Sequence, residues 1–475
     1  MTPNLRLLLI ADVGGPRHLG DEAMLDANLQ ALRRLIPHLT VAVMSCDPPS
    51  VAARYGVEGV PLFGFPRDPG AEAERESLLA RLLEAAQAGE RNTTISAVAS
   101  ADAIVVSGGG NLSSTWPDLF YERVALLKLA HHFGKPAAVL GQTIGPRIES
   151  GMRRLLAEAL AHAGHVGVRE IPSALLAAGL GIRPGRIWYQ CDDAMLPRNA
   201  AASPRAPAIA VTIDPQLRAT SEALFGSLVD QLRALSDTIG VPLVLVPHAF
   251  GGERSGAPSD LTEARLLAER IGGDRVTIAE GLDARETRRL TAGAALVVST
   301  RYHPIVFAFS AGVPSLGIYG DDYCRIKLQG VFAHARLDRW TLTYEDVARG
   351  GLLPKALDLY SLRDDVRRHL EARREAWHGE SLERWAAVLR ALDFSESAQS
   401  DPSRLFGRPP EDVVPALALA LHAQRQWSDS EQAMIEARFR ETQRRLQAEL
   451  GPRRTLIRYA AALRSRLRRV LRLRS

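Results

Sequence analysis

Ala292-Gly293-Ala294-Ala295-Leu296-Val297-Val298-Ser299-Thr300-Arg301-Tyr302-His303-Pro304 is the stretch that decides how this chain folds. Residues 296–298 are apolar with no polar alternate, as in a strand covered on both faces. A short polar turn follows, and residues 305–311 carry a helical pattern. Strand, turn and helix in that order make half of a βαβ unit. The order recurs at Ala101-Asp102-Ala103-Ile104-Val105-Val106-Ser107, which runs into Gly108-Gly109-Gly110-Asn111.

Working outward, similar runs stand at 7–10, 41–45, 137–140 and 166–168, and again at 209–213, 243–246, 276–278 and 315–318. Apolar residues at three- and four-residue spacing fill the gaps, so strands alternate with helices. That alternation predicts an α/β fold with parallel sheets. Residues 197–207, rich in Pro, Ala and Arg, read as a linker that divides the ten strands five and five. Two Rossmann-like domains are expected, 1–200 and 207–355, facing each other. A helical extension follows over 356–475.

The chain has 475 residues, 46% of them hydrophobic and 24% charged, which excludes a disulfide-framework mini-protein and a wholly disordered chain. Cys46, Cys191 and Cys324 are scattered and form no C-x-x-C, which suits a reducing compartment. The run 7–10 is too short for a signal-peptide core, and no stretch approaches the roughly 18 apolar residues of a membrane span. A cytoplasmic location is expected. Net charge is +5, yet residues 451–475 hold nine arginines and no acid. The rest of the chain is therefore mildly acidic, which argues against nucleic acid as its partner. The terminal segment places Leu456, Ala460, Leu463, Leu467, Val470 and Leu471 on one stripe, a basic amphipathic helix suited to an anionic membrane surface or a partner protein.

Candidate chemistry clusters at the carboxyl ends of the strands, where open α/β sheets bind ligands. Gly20-Asp21-Glu22 opens a helix after the first strand, so Asp21 and Glu22 either complement its dipole or handle a sugar hydroxyl. Gly109, Gly110 and Asn111 follow a buried strand and bring backbone amides to the site. Gln142 lies in a neighbouring strand-end loop. Arg169 follows another strand and could clamp a carboxylate or phosphate, or pair with Glu170. His248 and Glu280 also sit at strand tips. The densest signal is Ser299-Thr300-Arg301-Tyr302-His303. There, in an extended segment, Arg301 and His303 would project to one side, with Pro304 opening a helix. A fixed positive charge, an imidazole and a helix N-terminus suit a phosphorylated anion whose reaction needs a proton. Metal is not expected: the histidines are dispersed and Asp192-Asp193 alone is a weak magnesium signal.

These pieces together resemble the polysaccharide pyruvyl transferase family. The matching segments are Gly20–Ala23, Gly108–Asn111, Gly141-Gln142-Thr143-Ile144-Gly145-Pro146, Arg169-Glu170 with Ser173, Asp192-Asp193-Ala194, Val246-Pro247-His248 and Ser299 through His303. The resemblance implies a GT-B-like fold with the acceptor on the first domain and the donor phosphate on the second. It implies transfer of a pyruvyl group from phosphoenolpyruvate to two sugar hydroxyls, forming a ketal, without a metal or other cofactor. It makes Arg301 and His303 the central pair, with Arg169 opposite. In that chemistry His303 is the expected acid. Asp21, Glu22 or His248 act as base or orient the acceptor, and Ser299, Thr300, Gly109, Gly110, Asn111, Gln142 and Glu280 bind substrate. Two departures stand out. The first loop reads Pro16-Arg17-His18-Leu19-Gly20-Asp21 where many members have Gly-Asn-x-Gly-Asp, and Lys327 lies further beyond Tyr319 than the family spacing. A lipid-linked or membrane-proximal saccharide acceptor would explain the basic terminus. The competing readings are a GT-B-type glycosyltransferase using a nucleotide sugar, and an inactive scaffold held at a membrane surface.

Overall fold

The computed structural model describes residues 6–10, 18–68, 70–90, 92–195, 207–250 and 259–393. The first sheet has eight strands: β1 (Arg6–Ile10), β2 (Thr40–Ser45), β3 (Glu58–Pro61), β4 (Ala103–Val106), β5 (Gly109–Leu112), β6 (Ala137–Ile144), β7 (Ala163–Val168) and β8 (Ile187–Tyr189). Their order is β3-β2-β1-β4-β6-β7-β8, with β5 paired to β6, and every pairing is parallel. The second sheet has six: β9 (Ile209–Thr212), β10 (Leu243–Leu245), β11 (Val276–Ile278), β12 (Leu296–Ser299), β13 (Ser315–Tyr319) and β14 (Thr341–Thr343). Its order, β11-β10-β9-β12-β13-β14, is the doubly wound Rossmann order.

The unbroken apolar runs are explained by burial on both faces. Ile104 and Val106 of β4 pack with Phe120 and Val124 on one side. Ala103 and Val105, pointing the other way, pack with Leu25, Leu29 and Trp385. The first residues of this strand register with Leu7 and Leu8 of β1, so the switch in strand order falls between β1 and β4.

Two features differ from the expectation. The Gly-rich stretch after β4 is not a free loop, because Gly109–Leu112 forms β5, whose Gly109 registers with Gln142 of β6. The helix Arg363–Ala391 does not stand apart as an extension. Its Val366, Leu370 and Trp377 sit in the core around the second sheet, and its Trp385, Val388 and Leu389 cover the first. The amphipathic basic segment lies outside the described residues. Among the described residues no helix is long and apolar enough to cross a membrane.

Candidate active site

A cleft of about 420 Å³ opens between the carboxyl ends of the two sheets. From the second sheet it receives Asp214, just beyond β9, and Thr300, Arg301, Tyr302 and His303, just beyond β12. These adjacent strands mark the point where the strand order reverses. The helix Asp322–Ala335 adds Tyr323, Cys324 and Lys327, and the first sheet's side supplies His18, Asp21, Gly110, Asn111 and Arg169.

The turn after β12 is held by its own hydroxyls. Ser299 Oγ accepts the Arg301 N–H and donates to the Arg301 carbonyl, both at 2.9 Å. Thr300 Oγ1 accepts the Asp214 N–H at 2.8 Å, and the Thr300 N–H donates to the Thr212 carbonyl at 3.0 Å. Arg301 caps the helix Tyr302–Ser310 in an extended conformation. The segment therefore leaves the extended conformation at Arg301. His303 is already helical and Pro304 is the third helical residue, a position whose N–H is still without an intrahelical acceptor and so tolerates proline. Both side chains still reach the same cleft.

Arg301 Nη2 donates to Asp260 Oδ1 at 2.6 Å, and its Nε lies 3.1 and 3.2 Å from the two carboxylate oxygens. Burial works against the guanidinium charge, but Asp260 and Asp214 outweigh it and raise the pKa further. Asp260 also accepts the backbone N–H groups of His248 and Ala249. Arg301 is thus a fixed cation with part of its fork left toward the cleft.

His303 is buried against Gly20, where an added Cβ would fall 1.8 Å from the ring's Nδ1. Its Nε2 has no hydrogen-bond partner and lies 3.9 Å from Asp192 Oδ2. Burial, with the positive Arg169 nearby, pushes its pKa well below the usual imidazole value. Burial thus favours the neutral ring, so His303 must take up a proton before it can give one.

Across the cleft, Arg169 is fully enclosed. It donates to Asp192 at 2.6 Å, to Thr143 Oγ1 at 2.9 Å and to Glu170 at 3.1 Å, and its guanidinium lies 4.5 Å from the Tyr302 ring centroid. Glu170 in turn accepts from Thr143 and Ser173. The Asp192-Asp193 pair is shared between arginines. Asp192 holds Arg169, while Asp193 holds Arg384 of the long helix and accepts from Asn28 and Gln190. Among the described residues no group of three or more His, Cys, Asp or Glu could hold a metal ion.

The remaining candidates separate cleanly. Asp21, Gly110, Asn111, Thr300, Arg169, Arg301 and His303 line the cleft. Ser299, Gly109 and Gln142 lie beneath it as scaffolding, with Gln142 Nε2 donating to the Ser107 carbonyl. His248 is buried beside Phe307, off the cleft wall, with burial pushing its pKa down to about 3. Glu22 points away, pairing with Arg54 at 3.1 Å, and burial pushes its pKa up to about 7. Glu280 is solvent-facing and pairs with Arg265, because the turn after β11 lies at the sheet's edge. Tyr302, Tyr323 and Trp116 were not singled out by the sequence. Tyr323 donates its hydroxyl to the Gly110 carbonyl at 2.8 Å, joining the two sides of the cleft. Lys327 Nζ lies 4.4 Å from the Tyr323 ring centroid and 5.7 Å from that of Tyr302. Arg169, Arg301 and Lys327 therefore bring three cations to one neutral imidazole.

The polysaccharide pyruvyl transferase family model matches residues 18–322. No curated protein matches the sequence. Among solved structures, a putative UDP-N-acetylglucosamine 2-epimerase from Listeria monocytogenes is similar over 84% of this chain and 98% of its own, at 15% identity and a TM-score of 0.57. UDP-GlcNAc 2-epimerase from Neisseria meningitidis, bound to UDP-GlcNAc, is similar over 81% and 100%, at 10% identity and a TM-score of 0.51. A protein from Anabaena, solved with UDP and glucose, is similar over 80% and 99%, at 14% identity and a TM-score of 0.51. At such identities the likeness is one of fold, and the fold is GT-B-like: two Rossmann-like domains facing each other.

Proposed function

Because the chain belongs to the polysaccharide pyruvyl transferase family, we propose that it moves the pyruvyl group of phosphoenolpyruvate onto two hydroxyls of a saccharide, closing a cyclic ketal. The observation that carries this reading is the convergence of Arg169, Arg301 and Lys327 on His303 in one cleft. Phosphoenolpyruvate bears a carboxylate and a phosphate, so it needs several cations, and two of these are forks suited to planar anions. The family model ends at residue 322, so Lys327 comes from outside it.

The proton accounting follows from the state of His303. Its neutral ring takes up a proton as the anionic donor binds and delivers it to C3, turning the methylene into a methyl group and leaving C2 electrophilic. The first acceptor hydroxyl then bonds to C2 and returns its proton to the ring. The carboxylate and phosphate of a bound donor, with Asp192, favour the transient imidazolium. The second hydroxyl bonds to C2, the C2–phosphate oxygen bond breaks, and the second hydroxyl's proton leaves on inorganic phosphate. Arg301 and the N-terminus of helix Tyr302–Ser310 stabilise the departing phosphate. Asp21 orients the acceptor from the opposite wall. No metal or other cofactor is required by this sequence of steps.

Calorimetry with phosphoenolpyruvate tests the reading. Saturable binding by the wild-type protein and its loss in Arg301→Ala are expected. Absence of binding to the wild type, with binding of a nucleoside diphosphate instead, would transfer the protein to nucleotide-sugar glycosyltransfer, the chemistry suggested by the ligands of the structural neighbours. We assign the arginine-rich segment 451–475 to an anionic membrane surface, which would hold the protein at the cytoplasmic face near a lipid-linked acceptor. The full chain should sediment with anionic vesicles and a chain ending at Gly451 should not; equal sedimentation of the two would remove the assignment.

A further inference from the structure

Trp116 is 44% exposed, the most exposed large hydrophobic side chain among the described residues, and it lines the mouth of the cleft. Tyr189, next in exposure, is already stacked on the His334 ring at 4.5 Å. Trp116 does not sit on a loose loop. It is the N-cap of the helix Pro117–His132, its carbonyl accepts the Phe120 N–H at 2.9 Å, and Pro117 fixes the first helical turn. The preceding turn is tied down by the Ser114 N–H, which donates to the Arg147 carbonyl at 2.8 Å, and by the Thr115 N–H, which donates to Ser113 Oγ at 3.1 Å.

Two polar groups of the same wall accompany the indole. Arg67 Nε lies 3.1 Å from Asp118 Oδ2 in an ion pair; both residues line the cleft, and the Arg67 side chain is 74% exposed. A rigid aromatic face beside a carboxylate and a guanidinium is the chemistry that recognises a pyranose. The C–H face of the sugar ring lies on the indole, while adjacent hydroxyls donate to the carboxylate and accept from the guanidinium. The geometry points to Trp116 as the platform for an uncharged pyranose ring of the acceptor, with Asp118 and Arg67 reading its hydroxyls. This assignment rests on the pyruvyl-transfer reading and places the acceptor at the outer end of the cleft, with the cations at the inner end. Trp116 is then a specificity-determining residue, distant from the proton chemistry.

The test uses the full chain labelled with 5-fluorotryptophan and followed by fluorine NMR, with Trp116→Phe identifying the Trp116 resonance. The probes are the methyl pyranosides of glucose, galactose, mannose and N-acetylglucosamine, with uridine as the contrasting ring. At least one pyranoside should shift the Trp116 resonance saturably and leave those of buried Trp340, Trp377 and Trp385 in place. Trp116→Ala should weaken that binding about tenfold, Trp116→Phe should keep most of it, and phosphoenolpyruvate binding should be the same in both variants as in the wild type. A Trp116 resonance that no pyranoside moves, or that only uridine moves, overturns the assignment. Failure of the pyruvyl-transfer reading shows separately, as a wild-type protein that binds no phosphoenolpyruvate while Trp116 still answers to sugar.

Discussion

Gly20 shows how little room the reacting imidazole has. A methyl group there would land 1.8 Å from His303 Nδ1, so the ring occupies the space a side chain would take. Gly20→Ala should leave the fold intact, since the residue is helical, but push the ring out of line. A displacement of about 1 Å costs on the order of a hundredfold in turnover, and steady-state kinetics beside a circular dichroism spectrum would check it. Unchanged turnover would mean the ring adapts or is not used. Residues of this kind are legible where backbone geometry alone places them. Arg169 follows directly on β7 and Arg301 stands two residues beyond β12, so strand ends announce them. Asp21 and Glu22 are neighbours in a helix and face about 100° apart, so one reached the cleft and the other turned to Arg54. Tyr323 and Lys327 lie one helical turn apart on a face that only the opposing sheet defines, and Trp116 declares itself only by what stands opposite it.

At the scale of the element, the helix Arg363–Ala391 carries the most consequence. Arg384 is buried and its partner Asp193 has no exposure at all. Removing one member of such a pair strands the other charge, at a cost of about 3–5 kcal/mol. Arg384→Ala should therefore lose about that much in urea unfolding, and Arg384→Met combined with Asp193→Asn should recover part of it. A single variant as stable as the wild type would show that the pair is not closed in solution. The long helix itself is plain in the sequence, because its apolar positions recur at helical spacing, but its role as a member of both cores is not. The strands divide by their place in the sheets. β1, β4, β9 and β12 are central and read as continuous apolar runs. β3, β8, β11 and β14 lie at the edges of the sheets, each paired on one side. Glu58-Gly59-Val60-Pro61 contains a charge, a glycine and a proline, so nothing in it needed to look like a strand.

For the whole molecule, the buried histidines set the response to acid. His165 is enclosed beside Trp188, both its ring nitrogens lack partners, and burial pushes its pKa down to about 3. Its unfolded counterpart takes up a proton near 6.5. Between those values the unfolded chain binds a proton that the folded one refuses, so this residue makes stability fall as pH drops below about 6.5. His165→Phe keeps the stack on Trp188 and removes that proton. Its stability should fall less steeply than the wild type's between pH 6 and 4, by roughly 1.4 kcal/mol per pH unit, in urea titrations across that range. Identical slopes would show that water reaches the ring. Carboxyls whose pKa burial raises, such as Glu22, act in the opposite sense, which is why the difference between variants is the quantity to measure.

The path of the chain has a mechanical consequence. It crosses from the first sheet to the second after residue 195, and the helix Arg363–Ala391 carries it back to the first. The covalent path thus joins the two bodies at two places, and the hydrogen bonds from the Leu19 N–H to the His248 carbonyl and from Tyr323 to the Gly110 carbonyl tie them again along the cleft. They are latched as well as hinged, so sliding of one past the other is opposed at every tie, and Arg301 and His303 keep a fixed relation to Arg169 and Asp21.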